Sequence, residues 1–333
     1  MYLTFAKNVQ RFVYSIFIVT ALLAVSACAP SAYVVKAPAP SGLKYEAATP
    51  PTKTNFSLID NRKADERIFH TGRLAATLQY GDAPIDAPQF LAKHLQEELL
   101  SRGIPAQVTT ADKGLPRINL RTFLLQNHRV SAYSPFVTFT FLSVDLETTV
   151  ATKRIGVFIK RGKVPVWSFD EIVEPTLNQP LSLAVRELAG KIVKTLYGYQ
   201  ASNATVDQLI ARASDTSKTE DERYFDVYSL GFTNNPKTTD ALVKLAGDSA
   251  EYVRLAAISS LGNVGATGQF GFLKSVYQDG SRIWQDRAMA LKAIGDLGTS
   301  DAMAFLYQER KHWQAQPANQ ESNWTLQIIR LYL

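Results

Sequence analysis

Three segments of similar sequence recur at nearly constant spacing in the second half of the chain. They read RYFDVYSLG (223–231), RLAAISSLG (254–262) and RAMALKAIG (287–295), so that their first residues lie 31 and 33 positions apart. A second predicted helix follows each segment, at 239–246, 270–277 and 302–309. Periods of this length built from helix pairs predict a solenoid, in which each repeat packs only against its neighbours.

The second copy extends the likeness to a known family. YVRLAAISSLGNVG (252–265) resembles the HEAT-like repeats named after phycobiliprotein lyases in its Val-Arg, Ala-Ala and Leu-Gly elements, and 287–298 is a second, nearly complete copy. The first copy departs from the pattern, since Asp226 stands where the second has Ala257. Residues 324–333 would begin an unfinished fourth repeat. The resemblance implies an all-α HEAT-like repeat domain over 200–333.

The resemblance also implies a role for the recurrent arginines, Arg223, Arg254 and Arg287. In HEAT-like repeats the equivalent side chain braces the turn to a neighbouring repeat through an acidic residue. We therefore expect these side chains to be structural braces, rather than a ladder of anion-binding groups.

The preceding segment, 54–199, has the pattern of an α+β domain. Alternating or continuous apolar runs predict strands at 56–59, 118–124, 137–149 and 155–159. One helix is predicted to begin at Asp86 and to end at Gly103, and a second has an apolar stripe from Leu181 to Leu196. We expect a mixed or antiparallel sheet covered on one face by these two helices. This order of elements is similar to that of YajG-type lipoproteins and ABC-transport auxiliary lipoproteins, which implies an accessory envelope role.

A cluster of basic residues lies at the end of this predicted sheet: Lys153, Arg154, Lys160, Arg161 and Lys163. The pattern predicts a hairpin with charged ends, in which Arg161 and Gly162 turn the chain. Charge keeps an exposed sheet edge soluble, and this is the interpretation that we favour. Contact with anionic head groups is the alternative.

The only cysteine of the chain, Cys28, follows an apolar run near the N-terminus. Lys7 and Arg11 precede that run, and Ser26 and Ala27 stand directly before the cysteine. This order predicts a secretory signal peptide over 1–27, since the apolar run is shorter than the roughly 20 residues of a spanning helix. A buried apolar cysteine and an ordinary signal peptide cut nearby are the alternatives.

Residues 25–28, Val-Ser-Ala-Cys, resemble the lipobox of bacterial lipoproteins. The resemblance implies that Cys28 carries diacylglycerol and that its new amine is acylated, with palmitate as a typical chain. Ala29 stands where an aspartate would favour retention in the inner membrane, so we expect an outer-membrane lipoprotein that faces the periplasm. Two or more acyl chains anchor a protein stably.

The segment between the cysteine and the first strand, 28–53, contains five prolines. Proline-rich segments extend at about 3.1 Å per residue, so we expect a lipidated cysteine followed by an extended tether. Removal of the signal peptide reduces the formal net charge from +6 to +4, because Lys7 and Arg11 are lost. This charge does not favour nucleic acid as a partner.

Catalytic and metal-binding patterns are weak throughout the sequence. The glycine cluster at 262–271 lacks the Lys-Ser or Lys-Thr of a phosphate loop, and 295–300 occupies the same place one repeat later, which predicts inter-helix turns. The adjacent carboxylates Glu97-Glu98 and Asp221-Glu222 point in different directions on a helix. The histidines are scattered, without the spacing of a zinc site: His70, His94, His128 and His312. We therefore predict no cofactor, no metal and no enzyme.

The sequence favours a membrane-anchored periplasmic adaptor that binds another envelope protein through its helical repeats. An accessory component of a lipid or ABC-type transport system is the first alternative, and it would require an apolar cavity between the sheet and its helices. An enzyme is the second alternative, and it would require polar residues of perturbed pKa in one cleft.

Overall fold

A computed structural model describes residues 32–46, 52–72, 77–131, 134–163 and 170–333. The predicted signal peptide and the predicted lipidation site at Cys28 lie outside the described residues.

A mixed sheet forms the centre of the first half of the molecule. Its strand order is β6-β2-β7-β8-β9, and β3 lies beside β7 beyond the end of β2. The pairs of β7 with β2, β3 and of β2 with β6 are parallel, whereas β7, β8 and β9 run antiparallel. The bounds are β1 (Tyr33–Val35), β2 (Thr54–Asp60), β3 (His70–Gly72), β4 (Leu78–Tyr80), β5 (Ala83–Pro84), β6 (Ala106–Thr109), β7 (Arg117–His128), β8 (Phe136–Glu147) and β9 (Thr152–Lys163).

Helices account for most of the remaining described residues. Their bounds are α1 (Ala87–Ser101), α2 (Asp170–Val173), α3 (Gln179–Tyr197), α4 (Asn203–Ser214), α5 (Glu220–Phe232), α6 (Thr239–Leu245), α7 (Glu251–Val264), α8 (Phe270–Gln278), α9 (Trp284–Leu297), α10 (Ser300–Ala315) and α11 (Gln320–Arg330). A π-helical turn, Glu174–Asn178, joins α2 to α3. The mixed sheet followed by an all-helical repeat region confirms the predicted fold class.

Helices α1 and α3 pack against each other and against the sheet. Asp86 begins α1, since its side chain accepts a 3.0 Å hydrogen bond from the backbone N–H of Gln89. Leu95 of α1 and Leu188 of α3 are completely buried together with Phe56 of β2. These side chains fill the layer between the sheet and its two helices.

The repeats are stacked helix pairs, and the glycine in the last turn of each first helix has a packing role. A Cβ atom on Gly231 would lie 2.4 Å from Ser260 Oγ, and one on Gly262 would lie 2.6 Å from Ala293 Cα. A Cβ atom on Gly295 would lie 2.4 Å from the Tyr332 ring. The recurrent Leu-Gly and Ile-Gly pairs therefore mark the points where the next repeat approaches most closely.

The recurrent arginines brace neighbouring parts of the repeat region, as predicted. Arg254 Nε lies 3.0 Å from Asp286 Oδ2 in the following repeat, and Arg287 Nη2 lies 2.7 Å from Glu321 Oε1 in the repeat after it. Arg223 binds Asp248 before α7 and donates to the carbonyl of Ala213 at 2.9 Å. The structural interpretation of this arginine series is confirmed.

Residues 32–46 belong to the folded body, so the tether prediction for 28–53 is wrong over this part. Strand β1 pairs with β4, and Val35 and Leu43 are buried. The backbone N–H and the hydroxyl of Ser41 donate to Glu98 at 2.8 and 2.5 Å, and the Tyr45 hydroxyl donates to the carbonyl of Phe232 at 2.6 Å. The few apolar residues between the prolines are buried by distant parts of the chain, which local periodicity cannot predict.

Strand β9 also corrects a prediction. Residues 152–163 form one strand, so Arg161 and Gly162 do not turn the chain there. Lys160 and Arg161 are buried rather than exposed at a soluble edge. Lys160 Nζ lies 2.5 Å from Glu251 Oε1, and the Arg161 guanidinium lies 4.5 and 4.4 Å from the ring centres of Tyr224 and Tyr252. The repeats cover this part of the strand and supply partners for Lys160 and Arg161.

Phe139 on β8 belongs to the same contact between the sheet and the repeats. Its ring lies 5.5 Å from that of Trp284 on α9 and 4.6 Å from that of Trp324 on α11. Buried apolar contacts thus continue from the sheet into the repeats. The predicted boundary near residue 200 lies between α3 and α4, within one continuous core.

We predict that Gly262→Ala destabilises the fold by about 1–3 kcal/mol, because its Cβ atom would overlap the backbone of α9, which cannot rotate away. Gly271→Ala is the matched control, since nothing lies within 4 Å of a Cβ atom there. Removing a glycine from helix α8 should raise stability by up to about 1 kcal/mol. Urea unfolding measures the free energy of unfolding of both variants. A change of the same sign in the two variants would contradict the packing role of Gly262.

Candidate functional site: a basic cleft between the sheet and the repeats

Two helices contribute four buried charges at the junction of the sheet and the repeats. Glu187 and Lys191 lie one turn apart on α3, and Lys292 and Asp296 lie one turn apart on α9. Lys191 Nζ lies 2.6 Å from both Glu187 Oε1 and Asp296 Oδ1. Lys292 Nζ lies 2.7 Å from Glu187 Oε1 and 2.8 Å from Asp296 Oδ2. We call this set the ion network; its two cations and two anions balance.

Further hydrogen bonds connect the ion network to three other elements. Lys191 Nζ donates to the carbonyl of Gly156 on β9 at 2.6 Å. Lys292 Nζ donates to Asn263 Oδ1 on α7 at 2.7 Å, and the Tyr332 hydroxyl donates to Asp296 Oδ1 at 2.8 Å. The network therefore joins the sheet, α3, the second and third repeats and the end of the chain.

Burial and neighbouring charges together shift the pKa values of Lys191, Lys292 and Asp296. Burial opposes the charged form of Lys191, but the carboxylates of Asp296 and Glu187 outweigh it and raise the pKa of Lys191. Burial likewise opposes charge on Asp296, yet Lys191 and Lys292 lower its pKa. Lys292 lies deepest, and burial lowers its pKa against the attraction of the same two carboxylates. Burial of the charged form therefore costs more free energy for Lys292 than for Lys191.

A cleft of about 450 Å³ opens beside the ion network. Its walls come from three sources: Lys153, Arg154 and Ile155 on β9, Lys194 on α3, and the turns that follow α7 and α9. The structure therefore brings part of the predicted basic cluster together with both predicted glycine-rich turns, which are far apart in the sequence.

Lys194 on α3 is the cleft cation whose pKa is clearly lowered. Burial, together with the nearby charges of Lys153 and Lys191, lowers its pKa to about 8 against attraction by Asp296. Its Nζ donates to the backbone carbonyl of Asn263 at 3.2 Å, near the end of α7. A Cβ atom on Gly265 would lie 2.2 Å from that Nζ, so the glycine leaves room for the ammonium group.

The glycine-rich segments are turns, as predicted. Gly265 ends α7 with φ of +71° and Gly298 ends α9 with φ of +63°, in the left-handed region that favours glycine. The sequence gives no sign that these turns border a basic cleft. A signal for the ion network is present, however, since Glu187 with Lys191 and Lys292 with Asp296 are opposite charges four residues apart inside apolar helices.

The other candidate residues are structural. Glu98 binds Arg102, which directly follows the same helix, and Glu97 binds His94. Asp221 binds Arg161, and Glu222 caps α5 together with Thr219. His94 is buried against Phe90, and burial lowers its pKa. Across the described ranges, no three His, Cys, Asp or Glu side chains are grouped so that they could hold a metal ion. The described helices include none with the length and apolar character needed to cross a membrane.

Comparison with known proteins identifies the repeat region. Residues 206–283 match the family model of HEAT repeats. The complex of CpcE and CpcF of phycocyanin lyase from Nostoc sp. PCC7120 is a similar solved structure, with 20% identity, a TM-score of 0.33, and coverage of 44% of this chain and 89% of that chain. A second similar solved structure, that of an uncharacterized protein, has 11% identity and a TM-score of 0.31. The match covers 49% of this chain and 99% of that chain. No curated protein matches. The first part of the repeat region, 206–283, is therefore similar to HEAT repeats.

We predict that Lys292→Met destabilises the protein by about 3–5 kcal/mol, because it leaves Glu187 and Asp296 with only one buried cation. The double variant Glu187→Leu, Lys292→Met retains the balanced Lys191–Asp296 pair and should recover most of that loss.

Lys237→Met is the control, because the Lys237–Asp207 pair is exposed and should contribute less than about 1 kcal/mol. Thermal and urea unfolding of the wild type, Glu187→Leu, Lys292→Met and the double variant give the double-mutant cycle. Additive losses in the double variant would show that the two charges do not act together.

Proposed function

We propose that this protein is a lipid-anchored adaptor on the periplasmic face of the bacterial outer membrane. Solenoids of helical repeats offer extended surfaces for binding other proteins. The signal-peptide pattern and the lipobox-like residues 25–28 support export and anchoring through Cys28. The proposed role is therefore to hold a protein partner near the membrane, without catalysis.

The layer formed by the second helices of the repeats carries this proposal. The first helices α5, α7 and α9 face the sheet and α3, and residues such as Tyr252 and Trp284 contact the aromatic and basic side chains of β8 and β9. The outer helices α6, α8 and α10 pack mainly on other helices of the repeats. Since the inner surface is occupied by the protein's own sheet, a partner has access to the outer helices.

Helix α10 presents the most distinctive part of that outer layer. It is 16 residues long, and it buries Phe305 and Leu306 while Tyr307 remains 48% exposed. The guanidinium of Arg310 lies 5.2 Å from the ring centre of Tyr307. An exposed tyrosine beside an arginine is a combination enriched at the centres of protein interfaces.

The folded N-terminal segment limits the distance between an anchored Cys28 and the protein body. Four residues lie between Cys28 and Tyr33, the first residue of β1, so that five Cα-to-Cα steps join the two. A fully extended chain of that length spans at most about 18 Å. Lipidation of Cys28 would hold the body close to the membrane, so the partner would be a membrane-proximal protein.

The transport-accessory alternative receives no support from the α+β region. A lipid carrier of this type needs an apolar cavity between the sheet and its covering helices. Phe56, Leu95 and Leu188 are instead buried within one continuous apolar core.

Cys28→Ser should abolish labelling with radioactive palmitate and release the protein from the membrane fraction, because no acyl chain remains. Ala29→Asp is the matched variant: it should keep the label but move the protein from the outer to the inner membrane. Sucrose-gradient fractionation distinguishes the two. Palmitate labelling of Cys28→Ser would disprove anchoring through this residue.

A photo-crosslinking amino acid at position 307 should yield one adduct of defined mass in intact cells, because the proposal places a partner on α10. The control is the same amino acid at Val150, which is 92% exposed on the turn between β8 and β9. Mass spectrometry identifies the adduct. Identical adduct patterns at both positions, or none at position 307, would contradict a partner on this helix.

A further inference from the structure

The cleft beside the ion network contains more positive charge than its own carboxylates neutralise. Lys191 is balanced within the ion network, and Arg154 forms an ion pair with Asp145 on β8. No ion pair within the described ranges joins Lys153 or Lys194 to a carboxylate. The cleft therefore has two surplus cations, one on β9 and one on α3.

These two cations repel each other across the cleft. The charge of Lys153 disfavours the charged form of Lys194, which is already disfavoured by burial. The carboxylate that attracts Lys194 is that of Asp296, which is bonded to Lys191, Lys292 and Tyr332. Within the described part of the chain Lys194 donates one hydrogen bond, to the carbonyl of Asn263, which leaves further donor capacity on an ammonium group with three N–H bonds.

The shape of the cleft fits a small organic molecule as well as a free ion. Its volume of about 450 Å³ lies within the range of roughly 300–1,000 Å³ of small-molecule sites. Ile155, Leu297 and Met303 provide apolar wall on the sides away from the lysines. Such a cleft suits a compact anionic group that carries a less polar substituent.

We propose that this cleft binds a phosphate or phosphate-monoester group between Lys194 and Lys153. The anion accepts hydrogen bonds from both ammonium groups and removes their mutual repulsion. Partial exclusion of water from the cleft strengthens the attraction between the anion and the two lysines. A soluble phosphate ester and a phospholipid head group share this chemistry. The inference does not depend on the adaptor role or on lipidation of Cys28.

The test measures binding of inorganic phosphate and glycerol 3-phosphate to the full chain in nonionic detergent by isothermal titration calorimetry. Lys194→Met and Lys153→Met should each weaken binding at least tenfold. Lys244→Met removes an equal charge from the exposed side of α6 and should leave affinity unchanged. Since Lys153 is exposed, its variant tests the site even where Lys194→Met lowers the unfolding midpoint.

Sulfate gives an independent readout, because its charge does not change between pH 7 and 9. Its affinity should fall about tenfold over that interval as Lys194, with a pKa of about 8, loses its proton. The groups around Lys194 are Lys153 and Arg154 on β9, Lys191 on α3, and Asp296 and Tyr332 from the repeats. Burial and Asp296 raise the pKa of Tyr332 well above its usual value, and the pKa of Asp296 is lowered, so neither titrates in this interval.

Vesicles that contain phosphatidylglycerol separate the two sources of the phosphate. Binding to vesicles that is lost in Lys194→Met identifies a lipid head group, and binding to glycerol 3-phosphate alone identifies a soluble ester. Equal affinity of the wild type and both cleft variants for every probe would overturn the proposal, as would an absence of binding or a sulfate affinity that is independent of pH.

Discussion

The ion network of Glu187, Lys191, Lys292 and Asp296 is the constraint on which the rest of the structure depends. Burying four charges is costly, and the cost is offset only when each ion has its opposite partners in place. Those partners lie on α3 and α9, about one hundred residues apart in the sequence. The two helices can therefore dock in only one register, with Lys292 between Glu187 and Asp296.

The register of that contact places the other parts of the junction. With α3 and α9 fixed, β9 lies where Lys191 reaches the carbonyl of Gly156, and the tyrosines of α5 and α7 stack on Arg161. Strand β9 ends the strand order of the larger sheet, and uncovered sheet edges invite pairing with other chains. The repeats cover this edge, so the solenoid completes the fold of the sheet as well as presenting an outer surface.

This arrangement divides the possible functions between two surfaces. The inner helices of the repeats are occupied by the protein's own sheet, which leaves the outer helices for a partner. The same docking creates the basic cleft, because the turns after α7 and α9 are brought beside Lys153 and Lys194. The cleft exists only in the assembled fold, since each wall comes from a different part of the chain.

The sequence by itself determined the elements of this protein. The helix pairs, the helix start at Asp86, the turn around Gly265 and the main strands follow from short-range periodicity and local hydrogen bonding, which are properties of neighbouring residues. The bracing role of Arg254 was implied by the resemblance to HEAT-like repeats. The burial of Lys160, the ion network and the folded position of residues 32–46 were decided only by tertiary structure. The physical reason is that the free energy of burying a charge, or an isolated apolar residue between prolines, depends on partners that the fold brings from distant parts of the chain.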